Sequence, residues 1–253
     1  MKLNYKKQGS GKPIIILHGL FGMLDNWQSI ANQLAENHEV WLVDQRNHGR
    51  SPHANEHTYS LMASDLNELI TNHTIDNPLL VGHSMGGKTV MWFAQKYPGV
   101  ARALVVVDMG IREYPIHHDG IIDALHSLKV DKITSRNEAD EQLANRISSF
   151  GIRQFLLKNL HRKKEGGFEW KFNLPVLETA MENIVEALPD GNVEIPALFI
   201  AGGASNYITA ADVPEIMAQF TNAEVEVIPD AGHWVHAEKP NEVTKLIEQM
   251  ATK

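Results

Sequence analysis

The chain has 253 residues, of which 43% are hydrophobic, and it contains no cysteine. This length and apolar content fit one large globular domain, or a core that carries one sizeable insertion, and they exclude disordered, collagen-like and disulfide-stabilised classes. The 23 lysines and arginines against 31 aspartates and glutamates leave a net charge of −8. Because nucleic acid requires a cationic surface, we expect no nucleic-acid partner.

The apolar runs of the sequence are far shorter than the roughly 20 residues that a membrane-spanning helix requires. The residues after Met1 also lack an apolar segment followed by a small-residue cleavage site. We therefore expect a cytoplasmic protein without a membrane partner. The composition is compatible with a monomer or a homodimer.

Short β-branched segments alternate with amphipathic segments from the start of the chain, which is typical of βαβ units with a buried parallel sheet. The predicted strands span residues 13–17, 39–43, 78–81, 102–107, 197–201 and 224–228. The predicted helices span residues 27–37, 61–72, 85–96, 213–220 and 241–250. This order predicts an α/β fold, with a mostly parallel central sheet and helices on both of its faces.

The alternation is interrupted between residues 110 and 190. Helices are predicted there at residues 120–128, 139–150 and 175–187, and a charged turn at 163–167 separates two short runs. We therefore expect a mainly helical cap at residues 110–190, inserted into a core made of residues 1–109 and 191–253.

A candidate nucleophile, Ser84, lies in Gly82-His83-Ser84-Met85-Gly86, which matches the G-x-S-x-G pattern. The match has the context that gives this pattern meaning, since a predicted strand precedes it and a predicted helix follows it. Glycines two residues either side of the serine allow a sharp turn that exposes the hydroxyl at the carboxyl edge of the sheet. The five-residue pattern alone would fit an ordinary glycine-bounded turn.

A serine hydroxyl needs a positioned base before it reacts, and 13 histidines compete for that role. His233 is the preferred candidate because it follows the last predicted strand and precedes the last helix, on a loop that could reach the serine. His117, His118 and His236 are interpreted as surface or packing residues.

The hydrolase chain order requires a carboxylate between the serine and the histidine, usually on the loop after the strand at residues 197–201. That loop reads GGASNY and contains no carboxylate. Asp108, which ends the strand after the nucleophile helix, is the preferred acid, with Asp212 as its main rival and Asp230 less favoured. Ser205, at the usual acid position, is expected to take part in the same hydrogen-bond network.

Acyl transfer also needs donors for the developing oxyanion, which come from the backbone after the nucleophile and from the first strand–helix loop. These positions are Met85 and Leu20, the latter within His18-Gly19-Leu20-Phe21-Gly22. Phe21 and Trp234 are expected near the mouth of an apolar acyl pocket shaped by the cap.

Taken together, these motifs resemble the α/β-hydrolase superfamily over essentially the whole chain, and more narrowly the YbfF-type bacterial esterases. The resemblance rests on residues 18–26, 44–51, 82–88 and 231–240. It implies a carboxylesterase for small to medium acyl esters that needs no cofactor, with acyl-CoA thioesters as a further class. It also implies an acid at Asp108 and a serine at position 205, as in that group. The cap has no recognisable motif, so the substrate does not follow from the resemblance.

These observations predict a two-step hydrolysis through an acyl-enzyme. The alternatives are a carbon–carbon bond hydrolase or a cofactor-free oxygenase on the same fold, and a non-catalytic binding protein of this shape. A haloalkane dehalogenase is disfavoured because it would carry aspartate at position 84, and no metal site is expected. Arg46 and His48 are interpreted as loop-fixing residues, and residues 162–164 as a solvated turn rather than a phosphate site.

Overall fold

A computed structural model describes residues 1–116 and 119–253 of the chain. Within them, seven strands form one sheet in the order β1-β3-β2-β4-β5-β8-β9. The strands of this sheet are β1 (Tyr5–Gln8), β2 (Pro13–Leu17), β3 (Glu39–Val43), β4 (Leu79–His83), β5 (Ala103–Val107), β8 (Ala197–Gly202) and β9 (Ala223–Ile228). The predicted α/β class with a mostly parallel sheet is confirmed.

The strand β1 was not predicted from the sequence, and it is the antiparallel member of the sheet, paired with β3. Its two central residues, Lys6 and Lys7, are exposed and its ends are only partly buried. A strand at the edge of a sheet that faces solvent lacks the apolar run by which the buried strands were recognised.

The core helices cover both faces of the sheet. They are α1 (Gln28–Leu34), which follows a 3₁₀ turn at Leu24–Trp27, α2 (Tyr59–Asn72), α3 (Met85–Lys96), α9 (Val213–Gln219), α10 (Val235–Glu238) and α11 (Pro240–Thr252). Because successive strand residues point to opposite faces, Ile14 and Ile16 pack with α1 and α11, while Ile15 and Leu17 pack with α2 and α3.

Residues 110–190, which we call the inserted segment, join β5 to β8. The segment contains α4 (Asp119–Ser127), α5 (Arg136–Ala144), α6 (Phe150–Leu157), β6 (Leu160–Arg162), β7 (Phe168–Trp170), α7 (Leu174–Thr179) and α8 (Met181–Val185). Its apolar side chains form one buried cluster with Leu20, Phe21, Tyr59 and Met85 of the rest of the chain. The segment therefore packs directly against the loops that carry the predicted site.

The helix predicted at residues 139–150 is wrong, because α5 ends at Ala144 and α6 begins only at Phe150. The Ser149 side chain accepts a hydrogen bond from the Ile152 amide and so begins a new helix. The single helix predicted at residues 175–187 is likewise divided at Ala180 into α7 and α8.

The parallel strands bring the candidate residues to one edge of the sheet. Ser84 follows β4, Asp108 follows β5, and Ser205 lies just beyond the end of β8. Since β4, β5 and β8 are neighbours in the sheet, these three side chains start from adjacent strand ends. A search of the described residues finds no helix with both the length and the apolar character needed to cross a membrane.

Candidate active site

Ser84 occupies a strained turn between β4 and α3. Its backbone has φ 52° and ψ −119°, a conformation that a residue with a side chain rarely adopts. A side chain on Gly82 would lie 2.1 Å from the carbonyl oxygen of Gly86, and one on Gly86 would lie 2.6 Å from that of Leu17. The two glycines are therefore required for the close approach of strand and helix that holds the Ser84 hydroxyl at the sheet edge.

A chain of hydrogen bonds joins Ser84, His233 and Asp108. The Nε2 atom of His233 lies 3.1 Å from the Ser84 hydroxyl, and its Nδ1 atom lies 2.8 Å from Oδ2 of Asp108. If Nδ1 carries the proton and donates it to the carboxylate, Nε2 is left as an acceptor for the hydroxyl proton. The arrangement can thus remove a proton from Ser84 and stabilise the resulting imidazolium.

The Asp108 carboxylate is fully buried, at 0% exposure, and three groups donate to it. The Gly202 amide donates to Oδ1 at 2.9 Å, while the Ser205 hydroxyl donates to Oδ2 at 2.5 Å alongside His233. These donors fix the plane of the carboxylate. Ser205 thus contacts the network through the acid rather than through the histidine ring.

The two rival acids lie elsewhere. Asp212 pairs with the Arg112 guanidinium at 2.8 Å and accepts hydrogen bonds from the backbone and hydroxyl of Thr209. Asp230 is exposed to solvent. Of the three carboxylates considered from the sequence, Asp108 is the one within hydrogen-bonding distance of the His233 ring.

Two aromatic residues that no sequence motif marks, Tyr207 and His83, hold His233 in place. Tyr207 stacks on the imidazole with ring centroids 3.9 Å apart and an angle of 16° between the planes. The Nε2–H group of His83 donates to the backbone carbonyl of His233 at 2.8 Å. Burial, together with the nearby Asp108 charge, raises the pKa of Tyr207 to about 12, so its phenol stays neutral.

The loop that carries Leu20 is held by a network of buried hydrogen bonds. His18 donates from Nδ1 to the Gly19 carbonyl at 2.8 Å, and its Nε2 accepts from the Gln45 amide at 3.1 Å. The Gln45 side chain donates to the His18 carbonyl and accepts from the Thr89 hydroxyl of α3. Both donor positions predicted for the oxyanion, Leu20 and Met85, line a cavity with Ser84.

The next residue of this loop, Phe21, has φ 58°, and both its backbone amide and its backbone carbonyl form hydrogen bonds with side chains. Its amide donates to Nε2 of His48 at 3.2 Å, and its carbonyl accepts from the Asn159 side chain at 2.7 Å. His48 fixes this loop, while Arg46 pairs with Asp65 at 2.6 Å. Asn159 belongs to the inserted segment, so that segment supports the loop of residues 18–22 directly.

Five buried histidines surround the site in their neutral form. Burial lowers the pKa of each of them, to about 3 for His57 and His236 and well below the usual value for His48 and His83, and it also lowers that of His18. A neutral imidazole offers one donor and one acceptor, which the hydrogen bonds of His18 and His48 require. These rings therefore act as fixed polar supports.

Lys88 of α3 is fully buried, at 0% exposure, one helical turn after Ser84. Its ammonium donates to the carbonyl of Arg112 at 2.8 Å and to that of Glu186 at 2.6 Å, and it lies 4.9 Å from the Tyr114 ring centroid. Burial lowers its pKa to about 7. The Lys88 side chain thereby connects the beginning and the end of the inserted segment to α3.

Two cavities open onto Ser84. The large cavity, about 270 Å³, is lined by Gly19, Leu20, Phe21, His83, Ser84, Ile121, Ile152, Phe155, Leu156, Tyr207, His233 and Trp234. The small cavity, about 20 Å³, is lined by Leu20, Tyr59, Ser84, Met85, Met109, Tyr114, Ile184, Val185 and Tyr207. Phe21 and Trp234, predicted near the pocket, both line the large cavity.

Other residues considered from the sequence lie away from the cavities. Arg162 donates to the Thr134 carbonyl at 2.8 Å and is exposed like Lys164, and neither side chain lines the large cavity. His236 is buried and stacks on Trp27, whereas His117 and His118 lie outside the described residues. Within residues 1–116 and 119–253, no group of three or more side chains is placed to hold a metal ion.

The sequence motifs and the fold can be compared with those of known proteins. Residues 12–127 match a family model described as the alpha/beta hydrolase fold. The esterase YbfF of Escherichia coli strain K12 is 38% identical over 257 residues, covering 98% of this chain and 98% of that protein. The sn-1-specific diacylglycerol lipase ABHD11 of Danio rerio is 39% identical, covering 92% of this chain and 76% of that protein.

A solved structure extends the similarity to three dimensions. The structure titled as a marine microorganism esterase superposes with a TM-score of 0.96 at 42% sequence identity, and the match covers 98% of both chains. The agreement therefore includes the inserted segment as well as the sheet.

Proposed function

The chain belongs to the α/β-hydrolase family and is a carboxylic ester hydrolase, and from this premise we propose that it cleaves small-molecule esters through Ser84, His233 and Asp108. The observation that carries the proposal is the chain of hydrogen bonds of 3.1 Å and 2.8 Å from the serine hydroxyl through the imidazole to the carboxylate. A hydrogen-bond network that only stabilised the fold would not require a strained backbone at Ser84.

In the first step, the Ser84 hydroxyl attacks the ester carbonyl while His233 Nε2 takes its proton. Asp108 accepts the hydrogen bond from Nδ1–H, which keeps the imidazole in the right tautomer and stabilises its charged form. The backbone amides of Leu20 and Met85 are the proposed donors to the oxyanion. His233 then gives the proton to the leaving alcohol, and an acyl-enzyme on Ser84 remains.

In the second step, His233 removes a proton from a water molecule that attacks the acyl carbon, and Ser84 leaves with the proton returned. Ser205 is a positioning residue in this scheme, since its hydroxyl donates to the Asp108 oxygen that also faces the imidazole. These steps call for no cofactor, because His233 accepts or donates the proton in every transfer.

Phe21 and Trp234 are the proposed substrate contacts at the large cavity, whose walls are mostly aliphatic and aromatic. The substrate is accordingly a small-molecule ester with an apolar part. Acyl-CoA thioesters are a further class for the same chemistry, since a thiolate is a competent leaving group.

We also propose that residues 110–190 form a cap over a core of residues 1–109 and 191–253. Its support is the buried cluster that the inserted segment shares with Leu20, Phe21 and Met85, together with the four residues of α4 and α6 that line the large cavity. The cap would exclude water from the reacting bond and select the substrate.

The test is turnover of p-nitrophenyl acetate together with labelling by a fluorophosphonate, a reagent that phosphonylates an activated serine. The native chain should hydrolyse the ester and take up one label, and Ser84→Ala should do neither. Ser205→Ala, which keeps Ser84 intact, is the matched control and should still be labelled. Turnover retained by a folded Ser84→Ala variant would refute the proposal.

A further inference from the structure

The two cavities at Ser84 differ in their relation to the general acid. His233 and Trp234 line the large cavity, whereas the small cavity meets Ser84 on a side lined by Leu20 and Met85 and not by His233. An ester places an acyl group and an alcohol on opposite sides of the reacting carbon. The two cavities therefore supply two subsites, and the position of His233 decides which is which.

The leaving oxygen determines the assignment. When the tetrahedral intermediate collapses, the bond between the acyl carbon and the leaving oxygen breaks, and that oxygen takes its electron pair and the proton held on His233 Nε2. It must therefore lie within hydrogen-bonding reach of Nε2, about 2.6–3.2 Å. An alcohol attached to that oxygen extends into the cavity walled by His233 and Trp234, and the acyl chain is left with the small cavity.

We propose that the small cavity is the acyl subsite and that the enzyme is selective for acetyl and propionyl esters of larger apolar alcohols. This inference rests on the esterase chemistry proposed above. A cavity on the order of 10–15 Å³ accommodates one water-sized group, and the small cavity measures about 20 Å³. It has room for one or two carbon atoms beyond the carbonyl. The large cavity, about 270 Å³, has room for an aromatic or branched alcohol.

The walls of the small cavity are fixed, so it cannot widen cheaply for a longer chain. The Tyr59 hydroxyl donates to the Ile184 carbonyl at 2.6 Å, and the Tyr114 hydroxyl donates to the Tyr207 carbonyl at 2.7 Å. Tyr59, Met109, Tyr114 and Ile184 are all buried. A close-packed wall of this kind resists insertion of further methylene groups.

Lys88 reinforces the same wall. Its hydrogen bond to the Glu186 carbonyl holds the chain just after Ile184 and Val185, and its hydrogen bond to the Arg112 carbonyl holds the chain just before Tyr114. Both segments that close the small cavity are thus attached to the helix that begins at the nucleophile. By contrast, Ile152 and Phe155 of the large cavity are only partly buried.

The experiment measures kcat/KM for two series of substrates. In the first, p-nitrophenol is constant and the acyl group runs from acetate through propionate and butyrate to hexanoate. In the second, acetate is constant and the alcohol is phenol or 1-naphthol, which have similar basicity. We expect a fall of about 10- to 200-fold between propionate and butyrate, the range for one methylene too many in a pocket, and less than about tenfold change between the two acetates.

Two matched variants locate the selectivity. Ile184→Ala enlarges the small cavity and should raise the butyrate to acetate ratio of kcat/KM by about tenfold. Ile152→Ala shortens an aliphatic wall of the large cavity and should leave that ratio within about twofold, while it changes the preference between phenyl and 1-naphthyl acetate. If Ile184→Ala does not fold, the kcat/KM values of the native protein across the acyl series test the subsite assignment.

The outcomes separate this inference from the proposed function. A native kcat/KM that rises from acetate to hexanoate, or a butyrate to acetate ratio that responds to Ile152→Ala instead of Ile184→Ala, overturns the subsite assignment and leaves the esterase chemistry intact. Absence of turnover with every ester, together with absence of fluorophosphonate labelling, refutes the proposed function itself.

Discussion

The two halves of the site are held in different ways. On the sheet edge, Ser84, Asp108 and His233 belong to a continuous hydrogen-bond network whose buried acid has three donors. On the other side, the inserted segment faces the large cavity with aliphatic and aromatic side chains, and Asn159 donates to the Phe21 carbonyl in the loop of residues 18–22. The two regions therefore differ in kind: the sheet edge is organised by polar geometry and the segment by apolar packing, so under the proposed function changes in the first should alter the rate and changes in the second the choice of substrate.

The largest effect is expected from the acid. Asp108→Asn keeps the volume of the side chain but removes the charge that stabilises the imidazolium and selects its tautomer, so kcat should fall by about 10⁴-fold. Ser205→Ala removes one of the donors to the same oxygen and should cost about tenfold or less, since Gly202 still donates to the carboxylate. The kcat values of both variants are measured by steady-state kinetics. A similar loss in the two would mean that the hydroxyl, not the charge, dominates.

A smaller effect is expected where the inserted segment meets the loop of residues 18–22. Asn159→Ala leaves the buried Phe21 carbonyl without its 2.7 Å donor, which costs about 1–3 kcal/mol and should lower kcat by roughly tenfold as the loop relaxes. Asn173→Ala is the control, because its side-chain amide also joins the segment to the core, at Asn47 and Ala54, but donates to no group of residues 18–22. Equal kcat values for the two variants would contradict the role of Asn159.

The stacking on the base should have a modest effect. Tyr207→Leu removes the ring that lies 3.9 Å from the imidazole and should lower kcat about fivefold, since π-contacts of this kind contribute about 0.5–1.5 kcal/mol. Tyr207→Phe keeps the stacked ring and should stay within about twofold of the native kcat. A loss in the phenylalanine variant equal to that in the leucine variant would assign the effect to the phenol hydroxyl instead.

A last effect concerns the pH dependence of stability and leaves kcat aside. Burial lowers the pKa of His236 to about 3, so between its unfolded value of 6.5 and 3 the unfolded chain binds a proton that the folded chain does not. The stability conferred by the neutral ring is complete above pH 6.5 and is lost as the pH falls toward 3. His236→Phe keeps the stack on Trp27 and should flatten the fall of unfolding free energy below pH 6.5 by about 1.4 kcal/mol per pH unit.

Urea denaturation at pH 7, 6 and 5 measures this slope. Acid sensitivity should remain in the variant, because His18, His48, His57 and His83 are also buried with lowered pKa values. A slope unchanged by His236→Phe would mean that this ring is protonated in the folded protein.

Much of the fold could be predicted because the buried strands carry continuous apolar runs, as in Pro13–Leu17 and Glu39–Val43, whose bounds the structure reproduces. The candidate residues followed from position, since residues after parallel strands meet at one edge of the sheet. The loop that holds Ser205 has no carboxylate, and Asp108 was preferred because it lies between Ser84 and His233 in the chain and follows a neighbouring strand.

The supports of the site could not be predicted in the same way. Tyr207, Lys88 and Asn159 act through contacts with residues far away in the chain, and no local period or motif marks such contacts. The sequence predicts one helix over residues 139–150 because its apolar spacing continues to Phe150. In the structure, Ser149 caps the beginning of a new helix and so interrupts that pattern. A buried lysine, in particular, is unexpected from composition, because lysines are almost never fully buried.

The hydrogen bonds of Lys88 have a consequence for how such a molecule can diversify. Since one ammonium group reaches the carbonyls of both Arg112 and Glu186, the inserted segment begins and ends close to the same point. An inserted segment whose two ends lie close together can be lengthened, shortened or exchanged without displacing the adjacent strands β5 and β8. New substrate ranges are therefore open to this architecture through changes confined to one interval of the gene.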